Sequence, residues 1–327
     1  MEILVGTGTG VVETLLAEPV PVGSQCFCFT QRTKADGHAG KVQAICQRGR
    51  LFATGGSDGW ITVAALEADE YERAWKQDLP AEDPVTCMDI SQGGKFCFVG
   101  TQAGHIYIIH LQSMRLVKVL EKAHRGPVLA LRVHPERFTV FSVGVDRNLS
   151  AWNPAPDRIL HMEHDESPTR MIEFSPNGVN LALVSTTATN VINSDSGRRL
   201  HRNNFESRTV AVGWLSEARL CVGTEDGCLS FIDTTANSVT EIPAVYPAKL
   251  TAMAIDRSRQ FMATADSSWE IMLWRIEGGD RFIWPLCFAT VDSAPLCVTL
   301  ATDEELGLHR TMRQELEKEG FVFSDWD

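Results

Sequence analysis

His124, Ser142 and Asp146 carry the residue types of an acyl-transfer triad: a hydroxyl nucleophile, an imidazole base and a carboxylate to orient it. His38, Thr54 and Asp58 repeat the set earlier in the chain, again with four residues from hydroxyl to carboxylate. Two further stretches invite a chemical reading. "VGTGTG", from Val5 to Gly10, places three glycines at alternate positions, where backbone N–H groups could approach a phosphate. His161 and His164, with Asp165 and Glu166 beside them, offer donors to a divalent metal. A triad needs an exposed hydroxyl beside an oxyanion hole, and a single active site has no reason to occur twice. The elements that carry these residues therefore decide what they do.

Those elements repeat. "VGTGTG" at Val5 is echoed by "VGTQAG" at Val99 and "VGTEDG" at Val222, with looser copies at Thr54, Ser142, Leu183 and Thr264. Each copy lies between two apolar runs with strand alternation, and the Asp-Gly, Asp-Arg or Ala-Gly between them is hairpin-turn chemistry. A further strand precedes the hairpin, as in "PVTCMDIS" from Pro84 and "PVLALRVH" from Pro127, and a fourth follows it, as in "RLVKVLEK" from Arg115. Four short strands per unit, made seven times, predict an all-β propeller of seven blades. The glycines of "VGTGTG" then belong to a hairpin, and no lysine of a Walker pattern follows them. His161 to His164 fall between two blades, where a polar surface loop is expected. No catalytic site, metal or cofactor is expected.

The first hairpin, "EILVGTGTGVVETLL", lacks an inner strand before it, and "PLCVTLAT" from Pro295 is an inner strand with no hairpin after it. The N- and C-terminal strands are therefore expected to share one blade and close the ring, which also hides two strand edges. Residues 1–302 form the propeller on this reading, and 303–327 an acidic tail whose Leu306, Met312 and Leu316 allow a short amphipathic helix.

The stretch "AHRGPVLALRVHPERFTVFSVGVDRNLSAWN", from Ala123 to Asn153, resembles a WD40 repeat with its His, Ser, Asp and Trp in place. Gly37-His38 opens another, and Ile232-Asp233 and Trp274-Arg275 stand where the family's Trp-Asp dipeptide ends a strand; Ala103 and Ala64 are departures. The resemblance implies a structural role for the apparent triad. Trp152 would donate its indole N–H to Ser142, which meets His124, which meets Asp146, and His38, Thr54 and Asp58 would form a partial copy.

The order "KVLEKAHRGPVLALRVHP", then "IEFSPNGVNLALVSTTATNVINSDSG", then "WLSEARLCVGTEDGCLSFID" is similar to the PAK-interacting protein family over nearly the whole propeller. The match includes a degenerate fifth repeat with no turn Asp. The resemblance implies a role in assembly of the large (60S) ribosomal subunit in the nucleolus and, for animal members, binding and restraint of p21-activated kinase. One departure stands out: the family's lysine-rich tail is replaced here by eight acidic and three basic residues.

Composition narrows the partners. The formal net charge of −12 disfavours a free-standing nucleic-acid binder, because phosphate neutralisation by Lys and Arg supplies most non-specific affinity. RNA contact is expected only within a larger particle. No apolar run approaches the roughly 18 residues of a membrane helix, and "MEILVG" has no basic region, so a soluble intracellular protein without a signal peptide is expected. The nine cysteines contain no CxxC and mostly sit in apolar segments, as reduced core thiols do.

These readings combine into a monomeric, non-catalytic scaffold for assembly factors and ribosomal proteins of the large subunit, in the nucleus and nucleolus with the cytoplasm as alternative. A signalling adaptor for a protein kinase is the second reading, and a propeller enzyme with a channel-bound metal the third. Candidate partner contacts are the turn residues Trp60, Gln102, Arg147, Glu225 and Trp269, and Trp326 in the tail.

Overall fold

The computed structural model describes residues 2–19, 27–48, 51–67, 70–79, 83–111, 113, 115–154, 157–163, 168–242, 248–256, 258–276, 283–291 and 295–301. They form seven four-stranded antiparallel sheets in a closed ring, a β-propeller. Blade 1 holds β1 (Glu2–Thr7), β2 (Val11–Pro19) and β3 (Phe27–Asp36). Blade 2 is β4 (Val42–Arg48), β5 (Leu51–Gly56), β6 (Trp60–Glu67) and β7 (Glu70–Asp78). Blade 3 is β8 (Val85–Ile90), β9 (Phe96–Thr101), β10 (Ile106–His110) and β11 (Arg115–Leu120). Blade 4 is β12 (Val128–Val133), β13 (Val140–Gly144), β14 (Asn148–Pro154) and β15 (Asp157–Glu163). Blade 5 is β16 (Met171–Phe174), β17 (Asn180–Val184), β18 (Ala188–Asn193) and β19 (Arg199–Asn204). Blade 6 is β20 (Thr209–Trp214), β21 (Arg219–Thr224), β22 (Leu229–Asp233) and β23 (Ser238–Ile242). Blade 7 is β24 (Leu250–Ile255), β25 (Phe261–Asp266), β26 (Glu270–Ile276) and β27 (Ile283–Thr290), and β28 (Pro295–Ala301) returns to blade 1.

The last strand closes the ring. β28 pairs antiparallel with β1, Val5 opposite Val298 and Glu2 opposite Ala301, so blade 1 is built from both ends of the described chain. Every backbone group of β1 thus has a ladder on each side, and neither β1 nor β28 presents an open edge toward the other.

The repeated phrase now has a physical meaning at each glycine. The first glycine sits in the second strand of its blade, against the inner strand of the next. A Cβ on Gly100 would lie 2.8 Å from Val128 Cγ1, and one on Gly6 2.7 Å from Val42 Cγ1. Gly55 meets Val85 and Gly223 meets Leu250 in the same way. The last glycine takes the left-handed turn: Gly10, Gly59, Gly104 and Gly227 have φ of 88°, 75°, 88° and 84°. Neither role involves a phosphate.

Between blades the core is apolar. One cluster joins Ile61 and Val63 of blade 2 to Met88, Ile90, Val99 and Ile109 of blade 3; another joins Ile3, Val5 and Leu15 to Ile271 and Leu273 of blade 7. Cys46, Cys87, Cys97 and Cys221 are buried free thiols in these interfaces. Burial raises the Cys87 and Cys297 thiols to about 12, which keeps them protonated and inert.

One expected loop is a strand. His161 lies in β15, the outer strand of blade 4, paired with Ser150, because the alternation of "DRILHME" extends the sheet by one more strand. His164 lies outside the described residues, as do residues 302–327 with the expected tail helix and Trp326.

Removing residues 295–327 should therefore destabilise all seven blades rather than trim one. Thermal unfolding monitored by circular dichroism is expected to show a lowered or lost cooperative transition. A truncated protein that stays monomeric and melts at the full-length temperature would rule out closure through β28.

Candidate functional site

Inner strands begin, and second-to-third strand turns fall, on one face of the ring; for example, Val42 lies opposite Gly56 and Val128 opposite Gly144. That face, here called the turn face, carries every described residue expected to do chemistry or make contacts.

In blade 4 the four predicted residues form a continuous chain. Trp152 Nε1 donates to Ser142 Oγ at 2.9 Å, Ser142 Oγ lies 2.8 Å from His124 Nε2, and His124 Nδ1 lies 3.0 Å from Asp146 Oδ1. One proton assignment satisfies these bonds. The indole N–H occupies a lone pair of Ser142, the hydroxyl proton goes to His124 Nε2, and the Nδ1–H goes to the carboxylate. Asp146 also accepts N–H bonds from Arg125 and Asn148. Burial alone would raise its carboxyl, but the Arg125 N–H, the His124 ring and the Asn148 N–H outweigh that and hold it below the usual carboxylate range. Ser142 is fully buried and His124 nearly so. With its Oγ already held by Trp152, Ser142 meets no substrate, and the chain ties β14 through β13 to the loop before β12.

Blade 2 keeps the pattern without the indole. His38 Nδ1 lies 3.1 Å from Asp58 Oδ1, and its Nε2 lies 2.8 Å from Thr54 Oγ1. Ala64 stands at the position of Trp152, and Thr62, two residues earlier on the same face of β6, takes over at 2.5 Å from Thr54. Blade 7 keeps the other half: Trp274 Nε1 donates to Thr264 Oγ1 at 2.7 Å. Blade 3, with Ala103 at the turn, exchanges roles. There Asp83, from the loop before β8, accepts the N–H of Ala103, where in blade 4 the turn's Asp146 accepts the N–H of Arg125. Thr62 and Asp83 were absent from the sequence expectation, and Thr264 and Trp274 were named there only for their place in the repeat, not as bonded partners. Only the loss of a polar group at Ala64 and Ala103 hinted that substitutes were required.

The ring encloses a cavity of about 260 Å³. Gln43, Thr86 and Thr251 line it among aliphatic residues, together with Arg132 and Arg170, and neither imidazole nor carboxylate is among its lining groups. Two guanidinium groups and protonated thiols are the wrong donors for a divalent cation.

The expected contact residues lie at the turns of the same face. Gln102 and Arg147 are exposed in the turns of blades 3 and 4, and Glu225 in blade 6 pairs with Lys249 at 3.0 Å. Trp60 and Trp269 are not equivalent, although the sequence places both just past a turn. Trp60 is the first residue of β6, after Gly59. Trp269 occupies the left-handed turn position itself, with φ of 69°, and is 46% exposed.

A four-stranded blade repeated seven times, a His–Ser–Asp–Trp chain and terminal strand exchange define the class: this is a WD40-repeat propeller, and it resembles the PAK-interacting proteins. No family model matches the chain. It is 24% identical over 246 residues to p21-activated protein kinase-interacting protein 1-like of Danio rerio, a match covering 73% of this chain and 64% of that protein. The protein of the same name from Xenopus laevis is 22% identical over 242 residues, 73% of this chain and 65% of its own length. The one from Gallus gallus is 22% identical over 279 residues, 85% of this chain and 73% of its own. The match thus spans less than two thirds of the first two relatives. A shorter likeness, 27% over 123 residues, links 35% of the chain to 6% of WD repeat-containing protein 90 of Mus musculus.

His124→Ala and Trp152→Ala should each lower stability by roughly 1–3 kcal/mol for the orphaned buried partner, the Trp variant by about as much again for lost packing. Calorimetry would read this directly; an unchanged melting temperature in either variant would refute the structural role. Asp146→Asn adds a pH signature. Because the folded carboxyl is held low, its contribution is complete above its unfolded pKa of about 3.9 and fades as pH falls through the lower folded value. The melting-temperature gap between the parent and Asp146→Asn should be widest near neutrality and narrow below about pH 4. A gap that stays constant down to pH 2 would show that charge is not involved.

Proposed function

We propose that this protein is a non-catalytic scaffold that gathers proteins during assembly of the large ribosomal subunit in the nucleolus. The observation that carries the scaffold reading is the fate of the reactive residue types. The histidine, hydroxyl and carboxylate of the apparent triad are spent on one another inside blade 4, and a second set is spent inside blade 2. What remains for function is a rigid ring that presents turns. The ribosomal assignment draws its support from the likeness to the PAK-interacting family along the degenerate repeats. A net charge of −12 favours protein contacts over direct RNA binding within such a particle.

A second reading has its own support. The relatives from Danio, Xenopus and Gallus are named for interaction with p21-activated protein kinase, and an adaptor that holds and restrains a kinase would use the same turns.

Tagged protein purified from cells separates the two. On the ribosomal reading it co-sediments with large-subunit precursors and stays associated after nuclease treatment. Its depletion lowers free large subunits relative to small ones in a sucrose gradient. A normal subunit ratio after depletion, with a kinase recovered and no ribosomal precursors, would leave the adaptor reading.

A further inference from the structure

The two faces of the ring expose different residues. Of the eight large apolar side chains exposed among the described residues, Val145 and Trp269 stand at turns of the turn face, and Leu296 lines the cavity. The other five, Val117, Phe138, Val179, Leu200 and Val239, lie on the opposite face or at its rim, in blades 3 to 6.

Their placement is specific. Phe138 sits in the loop between β12 and β13, which the His134 N–H closes on the Thr139 carbonyl. One residue before the closing carbonyl, blade 3 has Lys95 and blade 7 has Gln260, while blade 5 has Val179. Phe138 leans across the blade boundary, its ring 5.1 Å from Phe96 and 5.9 Å from Phe98, and is still 39% exposed. Arg137 of the same loop reaches Asp195, and Gly178, beside Val179, packs on His134, so the loops of blades 4 and 5 abut. Val117 and Leu200 are each the extra residue of a β-bulge near the start of an outer strand. A bulge re-aims a side chain, and both of these aim an apolar one at solvent. Apolar exposure of this kind, rimmed by polar groups, marks a contact surface.

The charge around this strip opposes that of the whole chain. Its exposed ions are Lys95, Arg115, Arg137, Arg198 and Arg199 against Glu136, Asp195 and Glu217. Two positive charges remain with every carboxylate counted, whereas the protein carries −12. Nearer the channel, Arg132 and Glu173 cancel one another at 2.7 Å.

The chain supplies a matching segment at the same face. β28 runs from Pro295, opposite Thr7 beside the blade 1 turn, to Ala301, opposite Glu2, so residues 303–327 start on the side away from the turns. They hold eight acidic and three basic residues and end in Phe321, Phe323 and Trp326. About twenty residues reach roughly 30 Å as a helix and about 65 Å extended, against a radius of gyration of about 20 Å for a domain of this size. Blades 3 to 5 are within that span. Tethering also gives the segment an effective concentration of about millimolar, so a modest contact keeps it in place.

We propose that residues 303–327 fold back over the face opposite the turns. Their aromatic end lies against Phe96, Phe138 and Val179, and their carboxylates beside Lys95, Arg137 and Arg198. The contact is independent of the ribosomal and kinase readings, since both sides of it belong to this chain.

The test uses the purified full chain. A carbodiimide, which joins a carboxylate directly to an amine, should link tail carboxylates to Lys95 in preference to Lys41, Lys122 and Lys249 of the turn face, as read by mass spectrometry. Trypsin should cut slowly after Arg310, Arg313 and Lys318 in the parent. Cleavage there should be about fivefold faster or more when Phe321, Phe323 and Trp326 are changed to Ser together, and again with Phe138→Ser, because proteolysis tracks the open population. Val145→Ser on the turn face should leave the rate unchanged. The tail variant alters no residue of the ring, so an unchanged melting temperature separates docking from folding. Three results would each overturn the proposal: cross-links that favour Lys41, Lys122 or Lys249, equal cleavage in the parent and the tail variant, or Lys95 joined to the tail of a second copy in a concentration-dependent dimer. None of these bears on sedimentation with ribosomal precursors, so the scaffold reading stands or falls separately.

Discussion

At four of the seven blade boundaries, a branched side chain at the start of an inner strand fills the space left by a glycine of the neighbouring blade. Val42 against Gly6, Val85 against Gly55, Val128 against Gly100 and Leu250 against Gly223 are the same contact made around the ring. A methyl group at any of these glycines would push the next blade outward, and the angle between blades sets whether seven of them close. The ring geometry, the cavity and the common plane of the turns all follow from that spacing.

The polar chains work within this frame and do not create it. Apolar clusters, with the Trp152 ring among them, hold blade to blade, while the hydrogen bonds of His124, Ser142, Asp146 and Trp152 hold the strands of one blade in register and fix the loop before it. That division explains why blades can lose parts of the chain. Blade 2 replaces the indole with Thr62, blade 7 keeps only Trp274 on Thr264, and blade 3 supplies its carboxylate from Asp83. In each case one polar atom of the substitute finds a partner, while Asp83 Oδ2 in blade 3 and Asp266 Oδ2 in blade 7 have none among the described residues.

The seven blades and their closure were legible in the sequence because both are periodic: glycine at fixed places in the phrase and strand alternation on either side of it. The blade 4 chain was legible because all four of its residues are present. The substitutes in blades 2, 3 and 7 were not, since a hydroxyl or carboxylate in one segment gains its meaning only from the segment it meets after folding. The same limit hid the contrast between faces. Arg132 and Arg170 look alike in the sequence, but one lies beside Glu173 of the next inner strand and the other reaches solvent. The left-handed Trp269 was nearly visible, for it occupies the place that glycine takes in "VGTEDG", one residue earlier than Trp60 does in its own repeat.

Blade 1 has a consequence in time as well as in space. Its inner strand is the last described segment of the chain, and the strand it pairs with is the first. During synthesis, at roughly 5–20 residues per second, β1 emerges early and waits tens of seconds for β28. Throughout that interval β1 offers an unpaired ladder of apolar residues, Ile3, Leu4 and Val5, to whatever is nearby. The nascent ring is thus an open arc until β28 has emerged, and the chaperones that meet it on the ribosome would have one particular edge to shield.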